Sequence, residues 1–200
     1  MSNSGPITTC LIVILIVAII IWIISRFTHI RIETPEKRAG RLGERFATTI
    51  ISEVLRDDDI LLTNIEIAAE GKQTELDNVI INENGIFIIE TKNYNGYLTG
   101  DEDTYDWIQT KTTYTGNIYQ KRVKNPIKQV KRQIYILSRF LKHYGINAWI
   151  NGYVFLVERN SPVESAYVLN TRRDIDRAIH KAAHRKLAIK DIEKIKELLG

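Results

Sequence analysis

Three residues close together in the chain carry the chemistry worth testing first: Asp77, Glu90 and Lys92, in Asp77-Asn-Val-Ile-Ile-Asn-Glu-Asn-Gly-Ile-Phe-Ile-Ile-Glu90-Thr-Lys92. Two β-branched runs, Leu76–Ile81 and Ile86–Thr91, flank Asn82-Glu-Asn-Gly85, a cluster that favours a tight turn and predicts a β-hairpin. Side chains alternate faces along a strand, so Glu90 and Lys92 share a face with Ile86 and Ile88. If Asn82–Gly85 forms the loop, Ile81 pairs with Ile86 and Asp77 falls opposite Glu90. If the turn tightens to Asn84-Gly85, Glu83 pairs with Ile86, and Asp77 faces Lys92 with Glu90 on the diagonal. Both registers put the three side chains on one face; a three-residue loop would separate them.

Opposed carboxylates repel and destabilise a strand pair unless a cation lies between them. Oxygen ligands of this kind suit Mg²⁺ or Mn²⁺, hard ions that also accept phosphate oxygens. A lysine two residues on can hold a water or stabilise developing negative charge. The competing reading of Glu-x-Lys on a strand is an ordinary solvated face.

The flanking segments must position this hairpin. A helix over 36–55 opens with Gly40-Arg-Leu-Gly43-Glu44 and carries Leu42, Phe46, Ile50 and Val54 on one face. Glu44 lies on a second stripe with Ala47, Ile51 and Leu55, which aims it into the protein or a cleft, or else leaves it as an exposed helix glutamate. Ile60–Ile67 reads as a strand. Short strands at Gly96–Thr99, Trp107–Thr112 and Thr113–Gln120 fit a tract rich in Thr and Tyr, whose Trp107, Tyr105, Tyr114 and Tyr119 are expected to serve packing more than base stacking. Asn125-Pro126 starts a helix, with Asn as cap and Pro in the first turn. Ile127, Val130, Ile134, Leu137 and Leu141 form its buried stripe, Gln129 and Gln133 lie beside it, and the outer side is basic. Lys121, Arg122, Lys124, Lys128, Lys131 and Arg132 form the densest basic cluster, a candidate phosphate contact or a solvated face. Trp149–Val157 reads as a buried strand and Ala166–Leu169 as a shorter one. Thr171-Arg-Arg-Asp174 reads as a capping box before a helix over 174–184, followed by a helix over 189–199. His180 and His184 share a helical spacing, but no Cys or acidic partner makes a zinc signature there, so both are expected to be exposed.

The first residues are of another kind. Cys10–Ile24 is wholly apolar, and Pro6–Ser25 provides 20 positions, enough for a helix to cross a hydrocarbon core of roughly 30 Å. A cleaved signal peptide is disfavoured, because no Lys or Arg precedes the run and no small-residue cleavage site follows. Arg26, Arg31, Lys37, Arg38 and Arg41 follow the run, which by the positive-inside rule places 1–6 outside, 7–25 across the cell membrane, and a linker, 26–38, and the remaining domain, 39–200, in the cytoplasm. The single Cys10 forms no intrachain disulfide. The net charge of +4 falls wholly after the span and permits binding to an anionic partner without demanding it.

The order Gly-x-x-Gly-Glu44, Leu-Asp77-Asn-Val-Ile, Gly-Ile-Phe-Ile-Ile-Glu90-Thr-Lys92-Asn, Trp107 and Asn125-Pro-Ile-x-Gln129 resembles the nuclease-related domain (NERD) of the PD-(D/E)xK, restriction-endonuclease-like superfamily, over about residues 40–157. The resemblance implies an α/β fold of αβββαβ type, with a central mixed sheet of about four or five strands and helices on both sides. It implies Asp77 and Glu90 as metal-binding carboxylates, Lys92 as the residue positioning the attacking water, Glu44 as a further acidic support for the metal or its waters, and Gln129 as a group near phosphate or water. Asn78 departs from the family, where histidine is frequent. The expectation is a membrane-anchored, Mg²⁺- or Mn²⁺-dependent nuclease acting on nucleic acid, with DNA as the expected substrate and a homodimer as one way to cut two strands. The alternative is a non-catalytic tethered module that binds nucleic acid or a protein.

Overall fold

The computed structural model describes residues 5–27, 34–158, 160 and 162–200, with side chains in the first helix described for residues 12–23. They fall into two compact units, Met1–Arg38 and Ala39–Gly200. In the first, Gly5–Phe27 forms α1, whose side chains from Ile12 to Ile23 are apolar apart from the Trp22 indole nitrogen and are exposed. The expected span 7–25 lies within α1. Among the described residues no helix is long and apolar enough to cross a membrane. Residues 1–4 of the expected outer segment and 28–33 of the linker lie outside the described residues.

The second unit runs from α2 (Pro35–Ser52, which starts in the first unit) through β1 (Ile60–Ala69), β2 (Lys72–Asn82) and β3 (Gly85–Lys92). A small sheet follows, β4 (Tyr97–Thr99), β5 (Asp106–Thr112) and β6 (Ile118–Lys124). Then come α3 (Pro126–His143), β7 (Ile150–Leu156), β8 (Val168–Leu169), α4 (Arg172–His180) and α5 (Ile189–Leu199). The main sheet has the order β1-β2-β3-β7-β8: β1, β2 and β3 are antiparallel, while β7 joins β3, and β8 joins β7, in parallel. This is the expected mixed sheet in αβββαβ order, with the three-stranded sheet inserted between β3 and α3.

Strand alternation divides the core between the two sheet faces. Val79 and Ile81 of β2 and Ile86 and Ile88 of β3 pack with Ile136, Leu137 and Leu141 of α3 and Ile195 and Leu199 of α5. Ile80, Phe87 and Ile89 pack on the other face with Ala47 and Ile51 of α2 and Ile175 and Ile179 of α4. The central strands are buried on both faces, which is why they read as unbroken apolar runs. Asn125 fixes the start of α3: its Oδ1 accepts the Ile127 N–H at 2.9 Å, and its Nδ2 donates to the carbonyls of Asp101, Glu102 and Thr104.

Several expectations are corrected. The third strand of the small sheet lies at Ile118–Lys124, not Thr113–Gln120, because Thr113 N–H bonds the Asn117 carbonyl at 2.9 Å and closes 113–117 as a turn. Trp107 is buried, as expected for packing, but Tyr105, Tyr114 and Tyr119 are exposed. Trp149 is not in a buried strand: it precedes β7, lends its carbonyl to the Ile86 N–H at 3.1 Å, and leaves its side chain 73% exposed. The capping box forms as expected, with Thr171 and Asp174 each bonding the other's backbone, but α4 ends at His180. The His180 ring is buried and meets two acidic partners, Asp59 Oδ2 at 2.8 Å, far upstream in sequence, and Asp176 Oδ1 at 2.7 Å, one turn back on α4. The Asp59 contact ties α4 to the start of β1; His184 remains exposed.

Candidate active site

The hairpin takes the first of the two registers. Ile81 pairs with Ile86 and Asn78 with Ile89, and the next step along that register sets Asp77 opposite Glu90. Gly85 makes the corner possible, with φ +139° and the Trp149 carbonyl oxygen 2.9 Å from where a Cβ would sit.

Glu90 is 2% exposed, yet both its oxygens are engaged. Oε1 accepts from Lys92 Nζ at 2.5 Å and from Gln129 Nε2 at 2.6 Å; Oε2 accepts from Gln133 Nε2 at 2.6 Å. Gln133 Nε2 also donates to the Glu75 carbonyl at 2.9 Å, which fixes α3 against β2. Gln133 Oε1 is buried without a hydrogen-bond partner among the described residues. Burial opposes charge on Lys92, but the adjacent Glu90, by charge and hydrogen bond, outweighs it, and the lysine is held above its ordinary range.

Asp77 is handled differently. Its Oδ2 accepts the Thr91 N–H at 2.8 Å. Burial and then the negative charge of Glu90 push its carboxyl up to about 7, against the pull of Thr91 and Lys92, and Glu44 adds to the rise. Glu44 and Asp77 line one cavity of about 570 Å³ with Arg41, Thr48, Asn64 and Glu75. Asn64, in β1 at the level of Asp77, has φ +54°, and the β1–β2 pairing skips it between Thr63–Asn78 and Ile65–Leu76. Asn tolerates this left-handed conformation better than most residues. Ladder pairing is therefore interrupted beside the carboxylate.

The Gly-x-x-Gly-Glu segment docks against the strand end by close approach. A Cβ on Gly43 would collide with the Asn93 side chain, whose Nδ2 donates to the Ala39 carbonyl at 2.8 Å. Asn78, on the opposite sheet face from Asp77, accepts from Thr48 Oγ1 at 2.8 Å and so binds α2 to the hairpin. At this position the departure from the family residue supplies a helix-to-strand tie.

The structure thus joins Glu90, Lys92 and Gln129 directly, sets Asp77 beside them, and puts Glu44 on the cavity wall. Among the described residues no group of three or more His, Cys, Asp or Glu stands close enough to hold a metal ion. The donor chemistry nevertheless fits a hard divalent cation: two opposed carboxylates, of which Asp77 is pushed up to about 7 by burial and then by the charge of Glu90, a charge that a bound cation would offset. Of the basic cluster, Lys131 bonds Glu102 at 2.8 Å and Arg132 bonds the Gln73 carbonyl at 3.0 Å. Sequence reasoning placed Gln133 beside Gln129 without a role; one helical turn between two glutamines flanking a buried stripe was the available signal. Nothing local in the sequence signals that Thr91 N–H and Asn93 serve the site.

Residues 39–157, more than half of the chain, match the model of the nuclease-related domain. The chain belongs to that family. A relative from Bacillus anthracis, described as an uncharacterized protein, is 31% identical over 101 residues, covering 49% of this chain and 44% of its own length. The chain therefore spans less than half the length of that relative. No solved structure matches it. The matched NERD region begins at the Gly40–Glu44 segment and ends just past β7, so it contains Asp77, Glu90, Lys92 and Gln129 but neither α4 nor α5.

Proposed function

We propose that this NERD protein is a divalent-metal-dependent nuclease that hydrolyses phosphodiester bonds of nucleic acid, DNA among them, at Asp77, Glu90 and Lys92. The observation that carries the reading is the opposed pair Asp77 and Glu90 at the end of a buried sheet, with Lys92 2.5 Å from Glu90. Like charges on facing strands cost stability unless a cation lies between them. Asp77 and Glu90 would hold Mg²⁺ or Mn²⁺, with Glu44 reaching through water. When bound, the ion would polarise the scissile phosphate and stabilise the leaving oxygen.

The chain's own groups divide the remaining work. Gln129 and Gln133 clamp the Glu90 carboxylate in one orientation, which preorganises the site. Lys92, charged throughout the neutral range, neutralises a phosphate oxygen or orients the attacking water. Asp77 must lose its proton before it can serve as a ligand, so the site becomes competent as pH rises through about 7. A homodimer would bring two such sites to the two strands of a duplex.

Tethering through α1 belongs to the same proposal, with the domain on the cytoplasmic side. The apolar sequence 6–25 supports it, as do the positive residues that follow and the exposed apolar side chains from Ile12 to Ile23.

One observation favours a non-catalytic binding module: Lys92, Gln129 and Gln133 already satisfy both Glu90 oxygens. Labelled DNA and RNA incubated with the purified chain in Mg²⁺ or Mn²⁺ separates the two. Cleavage abolished by EDTA and by Asp77→Ala supports the nuclease; nucleic-acid binding that needs no metal and yields no product supports the module.

A further inference from the structure

From Trp107 to Val157 the sequence contains nine Lys and Arg and no Asp or Glu. The whole chain carries only +4, so its positive charge is concentrated here and the rest is net acidic. Three of the nine are committed within the domain: Lys131 to Glu102, Arg139 to Glu70 and Arg132 to the Gln73 carbonyl. The side chains of Lys111, Lys121, Arg122, Lys124 and Lys128 make no ion pair or hydrogen bond among the described residues.

The register of the small sheet sorts these cations by face. Trp107 pairs with Val123, Gln109 with Lys121, and Lys111 with Tyr119, so these six share one face. Its first part is core: Trp107 packs with Leu98, Ile127 and Val154. Its outer part, Lys111, Tyr119 and Lys121, is exposed, with Tyr119 at 60%. Both ends of this face lead to the candidate site. Gln109 Nε2 donates to the Asn95 carbonyl at 2.6 Å, three residues beyond Lys92. The strand β6 runs directly into the Asn125 cap of α3, one turn before Gln129.

We infer that this face holds a single strand of nucleic acid, with phosphates on Lys111 and Lys121 and a base stacked on Tyr119, and delivers it to the hairpin site. A tyrosine ring between two cations offers an unpaired base a stacking platform, and such platforms accept any base. A base inside a duplex presents only its edges to a protein, so a ring that stacks favours an unpaired base. The inference rests on the nuclease reading for its direction of delivery, not for the binding itself.

The test is fluorescence anisotropy of the full chain in EDTA, where cleavage is withheld, with labelled oligo-dT, oligo-U and a blunt duplex of equal length. Single strands are expected to bind at least tenfold more tightly than duplex, and the two oligonucleotides distinguish DNA from RNA as the preferred strand. Tyr119→Ala is expected to weaken single-strand binding by about five- to a hundredfold, the range of one base stack, and Tyr119→Trp to restore it. Lys111→Ala with Lys121→Ala should lower the slope of log affinity against log salt by about 0.7 per lysine. Both positions are exposed, and unchanged circular dichroism confirms folding. Duplex binding equal to or tighter than single-strand binding, or single-strand affinity indifferent to Tyr119→Ala, overturns the inference. If wild type cleaves in Mg²⁺ while these variants bind unchanged, the face is wrong and the nuclease stands. If wild type binds no nucleic acid, both fall.

Discussion

Replacing Asp77 with asparagine should stabilise the metal-free protein at alkaline pH. The folded-state carboxyl sits at about 7 against an ordinary value of 3.8, raised by burial and by the charge of Glu90. A raised acid pKa means the native state holds the proton more tightly than the unfolded chain. Its contribution is complete below the unfolded value and is lost as pH rises through 7. Three pKa units correspond to about 4 kcal/mol at 1.36 kcal/mol each. That is an upper bound, because the neighbouring charges readjust, and about 2–4 kcal/mol is the working figure. Asn keeps an acceptor for the Thr91 N–H, now 2.8 Å from Asp77 Oδ2, and can donate to Glu90. Urea unfolding in EDTA, followed by tryptophan fluorescence from the buried Trp107, measures the difference. At pH 8 Asp77→Asn should be more stable than wild type by about 2–4 kcal/mol; at pH 4 the two should agree within about 1 kcal/mol. Lower stability of Asp77→Asn at pH 8 would refute the reasoning, since it would make the ionised carboxylate a structural anchor.

Other consequences follow from the same geometry. Mn²⁺ affinity should rise about tenfold per pH unit below 7 and level off above it, with close to one proton released at pH 6, as measured by calorimetry in buffers of different ionisation enthalpy. Gln133→Ala removes the partner of Glu90 Oε2 and opens space in the core, so it should cost about 2–4 kcal/mol in denaturant unfolding. Gly43→Ala should destabilise by about 1–3 kcal/mol, although alanine is the better helix former, because its Cβ would collide with Asn93. A helix-propensity gain at Gly43 would show that α2 does not dock as described; Gly40→Ala, with open space at its Cβ, is the control.

Much of the architecture was legible in the sequence because local signals agreed with one another. The Asn82–Gly85 turn and its β-branched flanks defined the hairpin, and two of the registers they allowed put Asp77, Glu90 and Lys92 on one face. Choosing between them depended on where the turn closed, which Gly85 decides by accepting φ +139° against the Trp149 carbonyl. The Asn125-Pro126 start of α3 and the capping box at Thr171 were readable because capping chemistry is local. Errors fell where partners are distant in sequence. Burial of His180 depends on Asp59, far upstream, which only the packed fold brings to the ring, whereas its other partner, Asp176, stands one turn back on the same helix. Trp149 looked buried by composition but precedes its strand and turns outward. The clamp on Glu90 was half legible: Gln129 followed from the family pattern, whereas Gln133 became visible only when α3 was laid across β2 and β3.

The most direct measurement of the central claim is a Mn²⁺ titration of the purified chain at pH 8, followed by electron paramagnetic resonance. Wild type, Asp77→Ala, Glu90→Ala and Lys111→Ala would be compared, with phosphodiester cleavage of labelled strands recorded on the same samples. One bound ion per chain, lost together with cleavage in Asp77→Ala and Glu90→Ala, is the expected result; Lys111→Ala should keep the ion, with cleavage falling only as far as its strand binding does. Folded wild type that takes up no ion, or Asp77→Ala and Glu90→Ala that bind and cleave as wild type does, would contradict it.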